Sequence, residues 1–200
     1  MIRSTRWFAA LGLALGLFAT LPARGADEEK KVELQVGDKA PAFDLRTDSD
    51  KTWESSEHYG KKWIVIYFYP GDFTPGCTAQ AKLFKEHMNK LNDLSVEVVG
   101  VSGDSVKTHE MFKKAQMLNF TLLSDEAGTA SKKFGVPFGA AGTARTKIDG
   151  EVVEIKRAGT AARWTFVVGK DGKIAYKNMK VDPVTDAKKI TEFITNADKK

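Results

Sequence analysis

Cys77 is the one cysteine in a chain of 200 residues. It stands in Tyr69-Pro70-Gly71-Asp72-Phe73-Thr74-Pro75-Gly76-Cys77-Thr78, where two prolines and two glycines force a stiff, irregular turn. An apolar run precedes the turn, and helical spacing begins near Thr74–Cys77. A thiol in the first turn of a helix faces unpaired backbone N–H groups and the positive end of the helix dipole. Both favour thiolate over thiol, so the chemistry on offer is that of a sulfur nucleophile. The plainer reading is a small buried hydrophobe, the commoner fate of an isolated cysteine. Against it stand the position between Gly76 and Thr78 and the lack of an apolar stripe around the residue.

A single cysteine excludes an internal disulfide, a zinc site with two or more thiolates, a Cys-ligated iron–sulfur cluster and an intramolecular CxxC pair. Any redox cycle must take its second sulfur from elsewhere. His58, His87 and His109 share no ligand-like spacing, so no metal site and no acid–base role is expected for them, and no cofactor is implied.

The elements that must hold Cys77 follow from periodicity. Trp63–Tyr69 is an unbroken β-branched and aromatic run, a central strand buried on both faces. From Thr78, apolar residues at Leu83, Phe84, Met88, Leu91 and Leu94 recur at helical spacing. Val96–Ser102 reads as a second buried strand. Ser105 caps another helix, Phe120–Leu123 is a third strand, and a short helix lies near Gly128–Phe134. Trp164–Val168 and Ile174–Tyr176 flank Asp171-Gly172, a hairpin signal, and Pro183 opens a last helix ending near Asn196. This order predicts an α/β domain of thioredoxin-like fold, with a central mixed sheet flanked by helices. Phe43, Leu45 and Trp53 around an Asp48–Lys51 turn add an N-terminal hairpin extension. The Gly-, Ala- and Thr-rich segment 135–163 is expected to be a long surface loop, with Glu151–Ile155 as a short added strand.

The chain carries 31 Lys and Arg against 26 Asp and Glu. Residues 1–25 hold Arg3, Arg6 and Arg24 and no acid; without them 28 basic residues face 26 acidic ones, a net of +2. The charge is dispersed, so a nucleic-acid groove is not expected. Arg3 and Arg6 precede Trp7–Leu21, 15 residues without charge, and then Ala23-Arg24-Gly25. That pattern predicts a secretory signal peptide over 1–25, cut after Gly25, with a single domain over 26–200 exported to a periplasmic or extracellular space. An uncleaved membrane anchor is the alternative. An idle lone thiol would be unusual in an oxidising compartment, which invites a functional explanation for Cys77.

Pro70…Thr74…Cys77 resembles the Pro-x-x-x-Thr-x-x-Cys signature of the peroxiredoxins, the AhpC/TSA superfamily. Phe68-Tyr69-Pro70 together with Thr74-Pro75-Gly76-Cys77-Thr78 is similar to the bacterioferritin-comigratory, or Q-type, branch. Supporting segments run from Gly37–Phe43 through Val99–Ser102 and Leu122–Asp125 to Arg163–Val167. The resemblance implies a thiol-dependent peroxidase acting on hydrogen peroxide or organic hydroperoxides. Cys77 would be the peroxidatic thiolate that becomes a sulfenic acid. Thr74 would bond the thiolate and the peroxide. Arg163 would supply a fixed cation, and Pro70 would shield the sulfur. The backbone N–H groups of Gly76 and Cys77 would face the peroxide oxygens. On the residues alone, Arg157 is an equal rival to Arg163.

The chain departs from the Q-type pattern at two places. Lys82 stands where many members carry a resolving cysteine, and Gln80 where Glu is frequent. It therefore resembles a one-Cys member whose reductant is an external thiol, small or carried by a thioredoxin-like protein, with the chain a monomer or weak homodimer. Two other readings compete: a monothiol disulfide-exchange protein, and a non-enzymatic thioredoxin-like binding module working through the 135–163 segment.

Overall fold

The computed structural model describes residues 1, 32–148 and 150–199. The expected leader over 1–25 lies, beyond its first residue, outside the described residues, and the described residues from 32 onward belong to one compact unit. In chain order the unit opens with β1 (Asp44–Thr47), β2 (Thr52–Glu54), the single turn α1 (Ser55–His58) and β3 (Trp63–Phe68). Next come α2 (Pro75–Asp93), β4 (Val96–Ser102), α3 (Val106–Gln116), β5 (Thr121–Ser124) and α4 (Thr129–Lys133). The chain continues through β6 (Phe138–Gly139), β7 (Gly142–Ile148), β8 (Glu151–Arg157) and β9 (Thr160–Ala161). It closes with β10 (Trp164–Val168), β11 (Ile174–Asn178) and α5 (Asp186–Ala197).

Seven strands form one mixed sheet in the order β11-β10-β3-β4-β5-β1-β2. β3, β4 and β5 are parallel, while β10 runs antiparallel to β3. The alternation of β3 explains the burial on both faces. Val65 and Tyr67 join Phe84, Leu91, Phe112 and Ile190 on the side covered by α2, α3 and α5. Ile64, Ile66 and Phe68 join Phe43, Trp53, Phe134 and Phe166 on the other. Each wholly buried Leu or Phe contributes about 1.5–3 kcal/mol from burial alone. The thioredoxin-like, α/β expectation is met. The predicted N-terminal hairpin is β1–β2, and it does more than extend the domain. Arg46 and Thr47 pair with Ser124 and Leu123, so the hairpin becomes the far edge of the main sheet.

The expected surface loop over 135–163 is instead largely strand. β7 and β8 pair antiparallel along seven registered positions, from Gly142↔Arg157 to Ile148↔Glu151. β6 and β9, on either side of them in the chain, pair antiparallel as well. The turn at the tip uses Gly150 at φ +88°, in the left-handed region glycine favours. Most side chains of the ribbon face water, but Ile155 is buried and Arg157 reaches under the Cys77 turn.

Candidate active site

β3 delivers the chain to the site. The Tyr69 N–H still bonds to the Val101 carbonyl at 3.0 Å, and Pro70, with no N–H, ends the ladder. Phe73 then takes a φ of +59°, a left-handed conformation rare for a non-glycine residue and typical of sites held in place by their surroundings. Thr74 is the N-cap of α2 and Pro75 its first residue. The first helical bond runs from the Thr78 N–H to the Thr74 carbonyl at 2.9 Å. The N–H groups of Gly76 and Cys77 therefore precede the ladder and are the free donors of the first turn.

Cys77 lies in that first turn with 1% of its surface exposed, packed on the α2–α5 side of the core. Its lack of exposure corrects the picture of an open turn free of apolar neighbours. The burial is not inert, because a cation reaches the sulfur. Arg163, just before β10, donates from Nη2 to Cys77 Sγ at 3.1 Å and from Nη1 to Gln80 Oε1 at 2.6 Å. Gly76 lies against it: a Cβ there would sit in ordinary contact, 3.5 Å from Arg163 Nη2 and 3.7 Å from Pro183 Cγ.

Of the two rival arginines, the structure brings Arg163 to the sulfur and sends Arg157 elsewhere. Arg157 donates from Nε to Asp104 Oδ1 at 3.0 Å and from Nη2 to the Asp72 carbonyl at 2.9 Å. It clamps the underside of the turn. Thr74 differs from its expected role. Its hydroxyl donates to the Gly71 carbonyl at 3.0 Å and is not bonded to Cys77. With its single proton committed, the Thr74 oxygen retains only acceptor capacity toward the site. Pro70 is half-buried at the head of the turn.

A second group of residues, whose meeting the sequence does not announce, lies against the turn. Tyr69 donates to Asp72 Oδ1 at 2.7 Å, and the Asp72 N–H donates to Asp104 Oδ2 at 2.8 Å. Ser102 Oγ donates to the same Asp104 oxygen at 2.8 Å. His109, wholly buried, places Nδ1 at 2.8 Å from Asp72 Oδ2 and Nε2 at 3.2 Å from the Leu123 carbonyl. Both partners offer acceptor oxygens, an arrangement that favours a proton on each ring nitrogen. Burial opposes that charge, but the Asp72 and Asp104 carboxylates outweigh it and hold the His109 pKa above its ordinary value. Burial also lifts the Asp72 carboxyl above the usual range in spite of its partner. His109 makes no metal site, and among the described residues no cluster could hold a metal ion.

Against known proteins, a family description, "AhpC/TSA family", matches residues 36–177. Peroxiredoxin Q, chloroplastic, of Oryza sativa subsp. japonica is 38% identical over 144 residues, covering 72% of this chain and 58% of that protein. The chain thus spans well under two thirds of the rice protein. The putative peroxiredoxin bcp of Coxiella burnetii is 37% identical over 153 residues, 76% of this chain and 93% of that protein. Among solved structures, the bacterioferritin comigratory protein of Xanthomonas campestris, described for its alkyl peroxide reduction activity, superposes with a TM-score of 0.66 at 25% identity. That match covers 82% of this chain and 98% of that one. Shared fold, shared sequence and the Pro70–Cys77 turn agree: the chain belongs to the AhpC/TSA family, in its peroxiredoxin Q/bcp group.

Proposed function

We propose that the protein is a thiol-dependent peroxidase, and the observation that carries this reading is the Arg163 guanidinium 3.1 Å from the Cys77 sulfur. A fixed cation beside a thiol in a helix's first turn favours the thiolate and stabilises the charge that develops on a departing oxygen. The Cys77 thiolate attacks the terminal oxygen of a hydroperoxide. An S–O bond forms and the O–O bond breaks. The sulfur is oxidised by two electrons to a sulfenic acid, and the departing alkoxide or hydroxide takes up a proton to leave as alcohol or water. Thr74, whose hydroxyl proton is spent on Gly71, accepts a hydrogen bond from the incoming peroxide. The N–H groups of Gly76 and Cys77 donate to its oxygens, and Pro70 keeps water from the sulfur.

The chain has no second cysteine. An external thiol therefore attacks the sulfenic acid, releasing water and leaving a mixed disulfide, and a second thiol equivalent restores Cys77. This cycle needs no metal or cofactor and runs in a monomer or weak homodimer. The Arg-flanked apolar run at the N-terminus supports export. N-terminal sequencing of the protein from its native cell tests that, a start at Ala26 supporting cleavage and an intact Met1 an anchor.

The decisive experiment reacts the reduced protein with one equivalent of hydrogen peroxide, quenches at timed intervals and reads intact mass. Addition of one oxygen at Cys77 within seconds supports the peroxidase, and Cys77→Ser abolishes it. A dimer mass makes another copy's Cys77 the resolving sulfur. Oxidation no faster than that of a free cysteine peptide refutes the reading.

A further inference from the structure

Arg163 does not meet a carboxylate. Its second arm rests on the Gln80 side chain, a neutral amide that is wholly buried. An amide presents an oxygen on one side and an N–H₂ on the other, and only the oxygen can receive a guanidinium. What sets the direction is the other end of the residue. Gln80 Nε2 donates to Asp186 Oδ2 at 2.8 Å, and Thr165 Oγ1 donates to the same oxygen at 2.8 Å. Asp186 is the first residue of α5, with 1% of its surface exposed, and its Oδ1 has no partner. Burial pushes its carboxyl above the usual carboxylate range, against the lowering effect of these two bonds.

The arrangement separates two tasks that a single acid at position 80 would merge. A carboxylate 2.6 Å from the guanidinium would orient Arg163 but would also cancel much of its charge. The amide orients without cancelling. The acid that polarises the amide is set one residue further away, on a different helix. Because Oδ2 must be an acceptor to both Thr165 and Gln80, the amide cannot turn over without placing N–H groups against the guanidinium and its oxygen against Asp186.

We propose that Asp186 is a positioning residue for the reaction, acting through Gln80 to hold Arg163 on the Cys77 sulfur while leaving its positive charge available there. The inference rests on the peroxidase reading, and its test uses a readout independent of peroxide. The rate of Cys77 alkylation by iodoacetamide, followed against pH, reports the thiolate fraction, and thiolate absorbance at 240 nm provides a second measure. Asp186→Leu removes the acceptor. The alkylation profile then moves about one pH unit alkaline, a roughly tenfold loss of thiolate on the low-pH limb. Asp186→Asn keeps an acceptor oxygen in place and brings the profile back to within about threefold of the parent. Gln80→Glu sets a carboxylate directly on Arg163 and moves the profile in the alkaline direction as well.

An Asp186→Leu protein that is less stable but keeps the parent profile overturns the proposal, since that is the mark of a purely structural residue. So does an Asn variant as impaired as the Leu variant, or a Gln80→Glu protein with an unchanged profile. Should Asp186→Leu fail to fold, Gln80→Met interrupts the same chain at its middle and must give the same alkaline displacement. A parent protein that alkylates as an activated thiolate yet consumes peroxide slowly sinks the peroxidase reading and leaves this one standing.

Discussion

Replacing Gly71 by alanine should unseat Arg157. A Cβ at position 71 would lie 2.3 Å from Arg157 Nε and 2.5 Å from Cζ, far inside contact distance. The guanidinium has little freedom to yield. Its side chain is only 8% exposed, and both of its arms are committed, to Asp104 and to the Asp72 carbonyl. Asp104 is itself wholly buried. Displacing Arg157 therefore leaves a buried carboxylate without its cation, a change that costs about 3–5 kcal/mol. Ser102 and the Asp72 N–H still hold Asp104 Oδ2, which puts the expectation near the lower end, about 3 kcal/mol. For a domain of this size that is a fall of roughly 6–12 °C in Tm. The assay is urea unfolding of the parent, Gly71→Ala, Arg157→Ala and the double variant. If the clash with Arg157 is the cause, the double variant loses little more than Arg157→Ala alone. A Gly71→Ala loss below about 1 kcal/mol, or costs that simply add, would refute the reasoning.

Four further outcomes are expected. Arg163→Ala should slow peroxide consumption about 10²-fold and reduce thiolate absorbance at neutral pH; stopped-flow kinetics that match the parent would remove Arg163 from the site. Thr74→Val, which fills the same space without an acceptor, should cost about tenfold or more in the same assay. The raised His109 pKa means that folding binds a proton more tightly. Its contribution to stability is present below the ordinary His value of about 6.5 and drains away as pH rises through the folded-state value. Urea midpoints should thus decline on the alkaline side, and His109→Asn should flatten that slope. In the ribbon, Ile155→Ala should cost about 2–4 kcal/mol by chemical denaturation, while Val152→Ala, at an exposed position, should cost under about 0.5 kcal/mol.

What the sequence disclosed and what it withheld divide along chain distance. β4 was legible over Val96–Ser102 because both faces of the strand are buried and the run is continuous. The start of α2 was legible because two prolines and two glycines punctuate it. Arg163 could be told from Arg157 only through the family pattern, since nothing local separates two arginines six residues apart. Of the ribbon, the strand expected over Glu151–Ile155 is the start of β8, but its partner β7 went unread although Asp149-Gly150 repeats the Asp-Gly signal of the β10–β11 turn. β7 has only small, polar or charged residues before Ile148, and β8 carries charge on both faces, so no apolar alternation announces the pair. Gln80 and Asp186 lie 106 positions apart, and Asp72 and His109 lie 37 apart. Their meeting is a property of the packed sheet and leaves no trace in periodicity. A buried Asp or His looks, in a sequence, like any surface one.

The clamp on the Cys77 turn also orders events in time. The groups that complete the site arrive late: Arg157 meets Asp72 across 85 positions, Arg163 meets Cys77 across 86, and Asp186 meets Gln80 across 106. Contacts of such long range form only after the entropy of closing the intervening chain has been met. A chain emerging from its N-terminal side thus carries Cys77 uncovered while more than eighty further residues are made. During that interval the sulfur lacks both the guanidinium that contacts it and the core that hides it. The guanidinium contact and the burial of the sulfur come together, when β10 and α5 dock, so the arrangement around Cys77 exists only inside the finished fold.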